Sequence, residues 1–312
     1  LNHTTGKYGK LYIPKLHSGI KIRIHRKIEG TLKSVIIVKE PSGQFYAMIS
    51  CMKKIKSLPF TSAAIGIDVG LKSYVTTAQI NLAETSDSIK HEKVANPKHL
   101  KKSLKRLKRL NKQLSRKQHP KTKGDKTLKS KNFIKHSKKV AKLHNKVKNQ
   151  RTDFLHKLSK TIIDENQIIV VEDLNVKGMI QNKNLAQSLS DASWSRFLKM
   201  LEYKALWYGR QIVKISRFYP SSKLCFCGYK NSNLKLNDRK WACPECGRVY
   251  DRDEHAADMV MFEGLRQVGW EPSEPLLVTG ATPVETALVD DRIPSGIPKK
   301  PTVVEAGSLL LQ

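Results

Sequence analysis

The chain has 312 residues, with 58 Lys and Arg against 27 Asp and Glu, a formal charge of +31. No apolar run approaches the roughly 18–20 residues that a membrane span needs, and the opening LNHTTGKYGKLYIPK puts charges and a glycine where a signal peptide has its apolar stretch. Five cysteines, four of them crowded between 225 and 246, do not make a secreted disulfide framework, so the chain reads as a reducing, cytoplasmic protein.

Residues 9–57 alternate apolar and polar positions in short stretches, which predicts antiparallel strands of a small sheet or barrel, with turns at Ser18-Gly19 and at Pro41-Ser42-Gly43. AAIGIDVGLKSYVTTAQINLA (63–83) reads as a strand hairpin that opens a second domain. From about 97 to 165 the period becomes helical. Leu100, Leu104, Leu107, Leu110 and Leu114 fall three or four apart, and Val140, Leu143 and Val147 continue the spacing after a break at HPKTKGDK (119–126). Two long antiparallel helices with a basic outer face follow from that pattern. Residues 101–150 hold 20 Lys and Arg and one acid, Asp125, a balance suited to phosphate backbone; Lys101, Lys102, Lys105, Arg106, Lys108 and Arg109 on the first helix are the expected contacts. QIIVVEDLN (167–175) is a buried strand ending in acids. A helix over Trp194–Tyr208, a strand at 211–219, a cysteine-rich insert and a helix from 253 to 265 complete an α/β order. After Gly269 the chain is Pro-rich and weakly patterned, and 271–312 reads as a flexible tail.

Three acids lie in or at the ends of these elements. Asp68 sits in the strand GIDVG, Glu172 closes the run Ile168–Val171, and Asp253 stands in the first turn of the last helix. A carboxylate amid apolar strand residues is costly unless paired or bound to metal, and hard divalent ions take carboxylate oxygens. Three such acids can hold two Mg²⁺ or Mn²⁺ ions about 4 Å apart for phosphodiester hydrolysis. Singly, each has a plainer role: Asp68 in a turn, and Glu172 with Asp173, or Asp253, as a helix cap. Cys225-Phe226-Cys227 and Cys243-Pro244-Glu245-Cys246 suit a tetrahedral structural Zn²⁺. The first pair has one intervening residue rather than two, so a metal-free or weakened ribbon stands as the alternative.

These stretches, in this order, resemble the TnpB/OrfB proteins of bacterial insertion sequences, RuvC-like RNA-guided DNA nucleases related to the type V CRISPR effectors. The matching pieces are GIDVGLKSYVT (66–76), NQRTDFLHKLS (149–159), VVEDLNVKGM (170–179), LEYKALWYGR (201–210), YPSSK (219–223), CPECG (243–247) and DRD followed by Ala256-Ala257. The resemblance implies an RNase H-like (RuvC) α/β domain over 61–270, with a helical hairpin (97–165) and a zinc ribbon (219–252) inserted. It implies part of a wedge-type β-barrel over 1–60, and a guide RNA and a DNA target as partners. By motif, Asp68, Glu172 and Asp253 match the family's first, second and third acids, Asp253 being preferred to Asp251. His255 stands where the family has Asn. Leu1 falls inside the expected barrel, which implies an N-terminally truncated copy. The competing expectation is a catalytically inactive nucleic-acid-binding remnant or repressor.

Overall fold

The computed structural model describes residues 8–14, 16–84, 88–122, 125–235 and 237–270. They fall into two compact units, one holding residues 8–55 and 107–145, the other 56–106 and 146–270. The tail expected at 271–312 lies outside the described residues. No helix among the described residues is long and apolar enough to cross a membrane.

In the first unit, β1 (Tyr8–Ile13) pairs antiparallel with β2 (Leu16–Arg23), and β3 (Thr31–Lys39) with β4 (Phe45–Met52). Gly43 turns the second hairpin at φ +84°, as its sequence predicts. The first hairpin differs from expectation. Gly19 lies inside β2 at φ +66°, where the β1–β2 register shifts, so it serves a bulge rather than a turn. A Cβ there would stand 3.1 Å from Cε1 of Tyr12, whose ring covers the site.

The second unit is built on a mixed five-stranded sheet. Its strands are β5 (Ala63–Val69), β6 (Ser73–Asn81), β7 (Lys90–Ala95), β8 (Ile168–Glu172) and β9 (Gln211–Ile215), in the spatial order β7-β6-β5-β8-β9. β6 is antiparallel to both β5 and β7, whereas β8 runs parallel to β5 and β9 parallel to β8. β7 escapes the alternation test because KHEKVA is almost wholly exposed, a charged strand at the sheet's edge.

Two helices carry the basic region: α1 (His99–Ser115) and α2 (Lys131–Glu165). Between β8 and β9 the chain makes α3 (Val176–Ile180), α4 (Ala186–Ala192) and α5 (Trp194–Tyr208). Parallel neighbours need such a crossover. Ile65, Ile67, Ile169 and Val171 meet Leu155 and Ile163 of α2 and Phe197 and Leu201 of α5 on one face. Their strand neighbours Ala64, Ile168, Val170, Val213 and Ile215 form the other face's core with the last helix, α6 (Arg252–Gln267). Cover on both faces explains why Ile168–Val171 is an unbroken apolar run.

Buried and half-buried charges tie these helices to one another. Asp191 accepts from the backbone N–H of Leu100 at 3.0 Å and of Lys101 at 3.3 Å, and from Arg151 Nη2 at 3.0 Å, capping the N-terminus of α1 from another helix. Arg210 donates to Ile163 O at 3.0 Å and Asp164 O at 3.3 Å, closing the last turn of α2. Lys204 Nζ donates to His156 O at 2.8 Å and Ser159 Oγ at 2.7 Å, and burial holds its ammonium down to about 8. Arg151, Lys204 and Arg210, all in the motifs quoted above, thus hold helices in place.

α6 lies unusually close to the sheet. A Cβ on Gly66 would stand 2.6 Å from Met261 N and collide with the carbonyl of Ala257, and one on Gly264 would stand 2.5 Å from Val170 Cγ2. Gly66→Ala is therefore expected to destabilise the second unit by about 1–3 kcal/mol, because backbone must move to admit the methyl. Urea unfolding checks it: a midpoint equal to wild type would mean that α6 adjusts freely.

Candidate functional site: a carboxylate cluster beside a cysteine cluster

The parallel register sets the first two acids side by side. Ile67 is paired with Val171, so Asp68 and Glu172 are the next residues on their strands. Strand alternation puts both on the α6 face, in line with Gly66 and Val170. Asp68 belongs to β5 and is not a turn residue.

The third acid comes from the start of α6. Asp251 is the cap: its Oδ1 accepts from the N–H of Asp253 at 3.1 Å and of Glu254 at 3.3 Å. Lys93 pairs with Asp251 and Glu254, both at 2.9 Å. The charge of Asp253 reaches Asp68, and Arg239 Nη1 lies 3.3 and 3.4 Å from the two oxygens of Asp253. The capping that sequence allowed Asp173 and Asp253 is done by neighbours, since Asn175 Oδ1 caps α3 by accepting from Gly178 N. Asp173 is instead paired with Arg217.

Electrostatics shows how tightly these groups are held. Burial, then the charges of Glu172 and Asp253, push the half-buried Asp68 carboxyl up to about 8, against the pull of Arg252. Burial also raises Glu172, countered by the Ser221 hydroxyl, which donates to its Oε1 at 2.8 Å. A divalent ion held by these oxygens would offset both the burial and the neighbouring charges that keep Asp68 protonated. The donor set, carboxylate oxygens alone, suits Mg²⁺ or Mn²⁺. Sequence missed Ser221 and Arg239; the YPSSK match was the signal for the first, and nothing local marked the second.

The cysteine cluster stands directly upstream of α6. The Sγ atoms of Cys225, Cys227, Cys243 and Cys246 all lie within 4.8 Å of one another, with Cys225–Cys246 at 3.5 Å and Cys227–Cys243 at 3.6 Å. Four thiolates at about 2.3 Å from one ion stand about 3.8 Å apart, so the set fits tetrahedral Zn²⁺ despite the short first pair. Although burial opposes it, N–H groups of Cys246 and Glu245 draw the Cys243 thiol down to about 7. Strands β10 (Lys240–Ala242) and β11 (Val249–Asp251) frame the second knuckle, and β11 runs straight into α6. Trp241 is buried in this module rather than presented to a partner. His255 is no ligand: its ring stacks on Tyr250 at 3.9 Å and Nε2 donates to Leu224 O at 2.7 Å.

The basic residues Lys101, Lys102, Lys105, Arg106, Lys108 and Arg109 are all exposed on α1, while Leu107 between them is buried.

The cost of charging Asp68 is measurable. Between its ordinary value of 3.8 and about 8, the folded protein holds a proton that the unfolded chain has lost, so stability falls as pH rises through that window. Asp68→Asn is expected to raise the Tm of the metal-free protein by several degrees at pH 8, with the gain shrinking toward pH 4. Equal Tm values for the two proteins at pH 9 would refute the penalty.

The family OrfB_IS605, described as a probable transposase, matches residues 49–183, and the Cas12f1-like TNB domain matches residues 194–260. A Streptomyces pristinaespiralis protein named "Putative RNA-guided DNA endonuclease" is 37% identical over 302 residues, 95% of this chain and 69% of that protein. InsQ of Escherichia coli (strain K12), given the same designation, is 28% identical over 271 residues, 82% of this chain and 62% of InsQ. Among solved structures, a Cas12f1–sgRNA–target DNA complex aligns with a TM-score of 0.45 and 17% identity, covering 70% of this chain and 52% of that one. The long match to the Streptomyces protein and the two family matches in tandem establish that the chain belongs to the TnpB/OrfB family.

Proposed function

We propose that this chain is the nuclease part of a transposon-encoded, metal-dependent RNA-guided DNA endonuclease of the cytoplasm. The observation that carries the reading is the placement of Asp68 and Glu172 side by side on paired parallel strands, with Asp253 near enough for its charge to act on Asp68. The domain reading is an RNase H-like (RuvC) unit over 61–270 with the helical hairpin 97–165 and a zinc ribbon 219–252, preceded by part of a barrel over 1–60. Support comes from the strand order, in which two antiparallel pairings and two parallel ones meet at the strand bearing Asp68. The relatives' printed names supply RNA guidance and DNA as the target class.

In this reading Asp68, Glu172 and Asp253 hold Mg²⁺ or Mn²⁺, which when bound supplies an activated water and stabilises the leaving oxygen. The chain's own groups do the positioning. Ser221 fixes the Glu172 carboxylate by its hydroxyl, and Arg239 screens Asp253. Cys225, Cys227, Cys243 and Cys246 hold Zn²⁺ and set the course of β11, hence the place where α6 and Asp253 begin. The exposed cations of α1, from Lys101 to Arg109, bind phosphate backbone, while pairing with a guide RNA reads target sequence.

Asp68→Ala, Glu172→Ala and Asp253→Ala are each expected to abolish Mg²⁺-dependent DNA cleavage by protein co-expressed with its flanking locus, with nucleic-acid binding nearly unchanged. Cleavage that survives all three substitutions sinks the assignment; tight binding without any cleavage by wild type favours the inactive remnant. For the cysteines, metal analysis of protein purified without chelator should return one zinc per chain, lost in Cys243→Ser. A metal-free wild type of equal stability would reject the ribbon.

A further inference from the structure

The turn that follows β9 brackets Glu172 at both ends. It leaves the sheet at Ile215, the register partner of Glu172, whose carbonyl accepts from Asp173 N at 3.0 Å. It returns at Ser221, which donates to the Glu172 carboxylate. Between them the chain folds tightly, with Tyr219 N donating to Ser216 O at 3.0 Å and Phe218 N to Ser216 Oγ at 3.3 Å. Arg217 ties the turn to Asp173, and Tyr219 packs into the core beneath α6. Everything in this loop is anchored except one side chain. Phe218 is 87% exposed, more than any other large apolar side chain among the described residues.

Scattered surface apolar residues are ordinary, but this one is held by a fixed turn whose two ends both touch a residue of the carboxylate cluster. Baring a Phe forgoes about 1.5–3 kcal/mol of burial. A flat ring in the open is the chemistry that binds an unpaired nucleobase. Bases stack on aromatic side chains for about 1–3 kcal/mol each and without regard to sequence.

We infer that Phe218 is a stacking platform for a nucleobase of single-stranded DNA, holding the strand beside Glu172. The inference rests on the nuclease reading for its ligand, and it adds that the strand reaches the carboxylates unpaired. It makes Phe218 a substrate-positioning residue, separate from the acids.

The test uses the full chain with Ca²⁺ in place of Mg²⁺ and a short single-stranded oligonucleotide carrying 2-aminopurine. Wild type should quench the probe on binding. Phe218→Ala should lose the quenching and bind about 5- to 100-fold more weakly, Phe218→Trp should restore both, and Tm should be unchanged because the ring covers nothing. Unaltered affinity and quenching in Phe218→Ala overturns the inference. So does a loss that Phe218→Trp fails to restore, which would make the ring's role structural. The nuclease reading stands or falls separately: quenching by wild type that never cleaves under Mg²⁺ supports the platform and overturns the enzyme, whereas guided cleavage at wild-type rates by Phe218→Ala overturns the platform alone.

Discussion

Mutual repulsion among three carboxylates at one end of a packed sheet is the constraint around which the second unit is arranged. Burial, then the charges of Glu172 and Asp253, keep Asp68 protonated up to about 8. They stay together because each is carried by an element that cannot yield. Asp68 and Glu172 are fixed by parallel pairing in the middle of the sheet. Asp253 is fixed by a helix pressed so near the strands that Gly66 and Gly264 leave no room for a methyl group. Apolar burial on both faces of the sheet thus supplies the energy that keeps these acids at one end of it, and the N-terminal end of α6 favours negative charge there.

The cysteine cluster belongs to the same problem. α6 begins one residue after β11 ends, so whatever fixes the β10–β11 hairpin also fixes where Asp253 stands. Four converging thiols do this from one side, and the stack of His255 on Tyr250, with Phe226 at 5.1 Å from the same ring, does it from the other. The His255 ring packs among Tyr250 and Phe226 and bonds the carbonyl of Leu224, on the side of the cysteine cluster.

Much of this was open to a reader of the sequence. The run Ile168–Val171 had to be a strand buried on both faces, Leu spacing had to make α1 a helix with one apolar stripe, and paired cysteines had to converge for their spacing to make sense. Other features were closed to such a reading for physical reasons. β7 carries charge on both sides because it lies at an edge, so no alternation betrays it. Gly19 looks like a turn residue, yet a bulge asks for the same positive φ. Asp191 caps a helix that begins more than ninety residues before it, a partnership with no local signature.

Composition and periodicity alone determined that the chain is basic, α/β in order, helical through its cationic stretch and equipped with three acids in or beside its strands and helices. These follow from local rules of period, charge and turn chemistry. Only the tertiary structure decided that Asp251 caps while the charge of Asp253 reaches Asp68, that Arg239 and Ser221 attend the acids, and that Phe218 is bared on a loop anchored at Glu172. Those outcomes depend on strand register and on how near one helix can approach a sheet, which neighbouring residues in sequence do not encode.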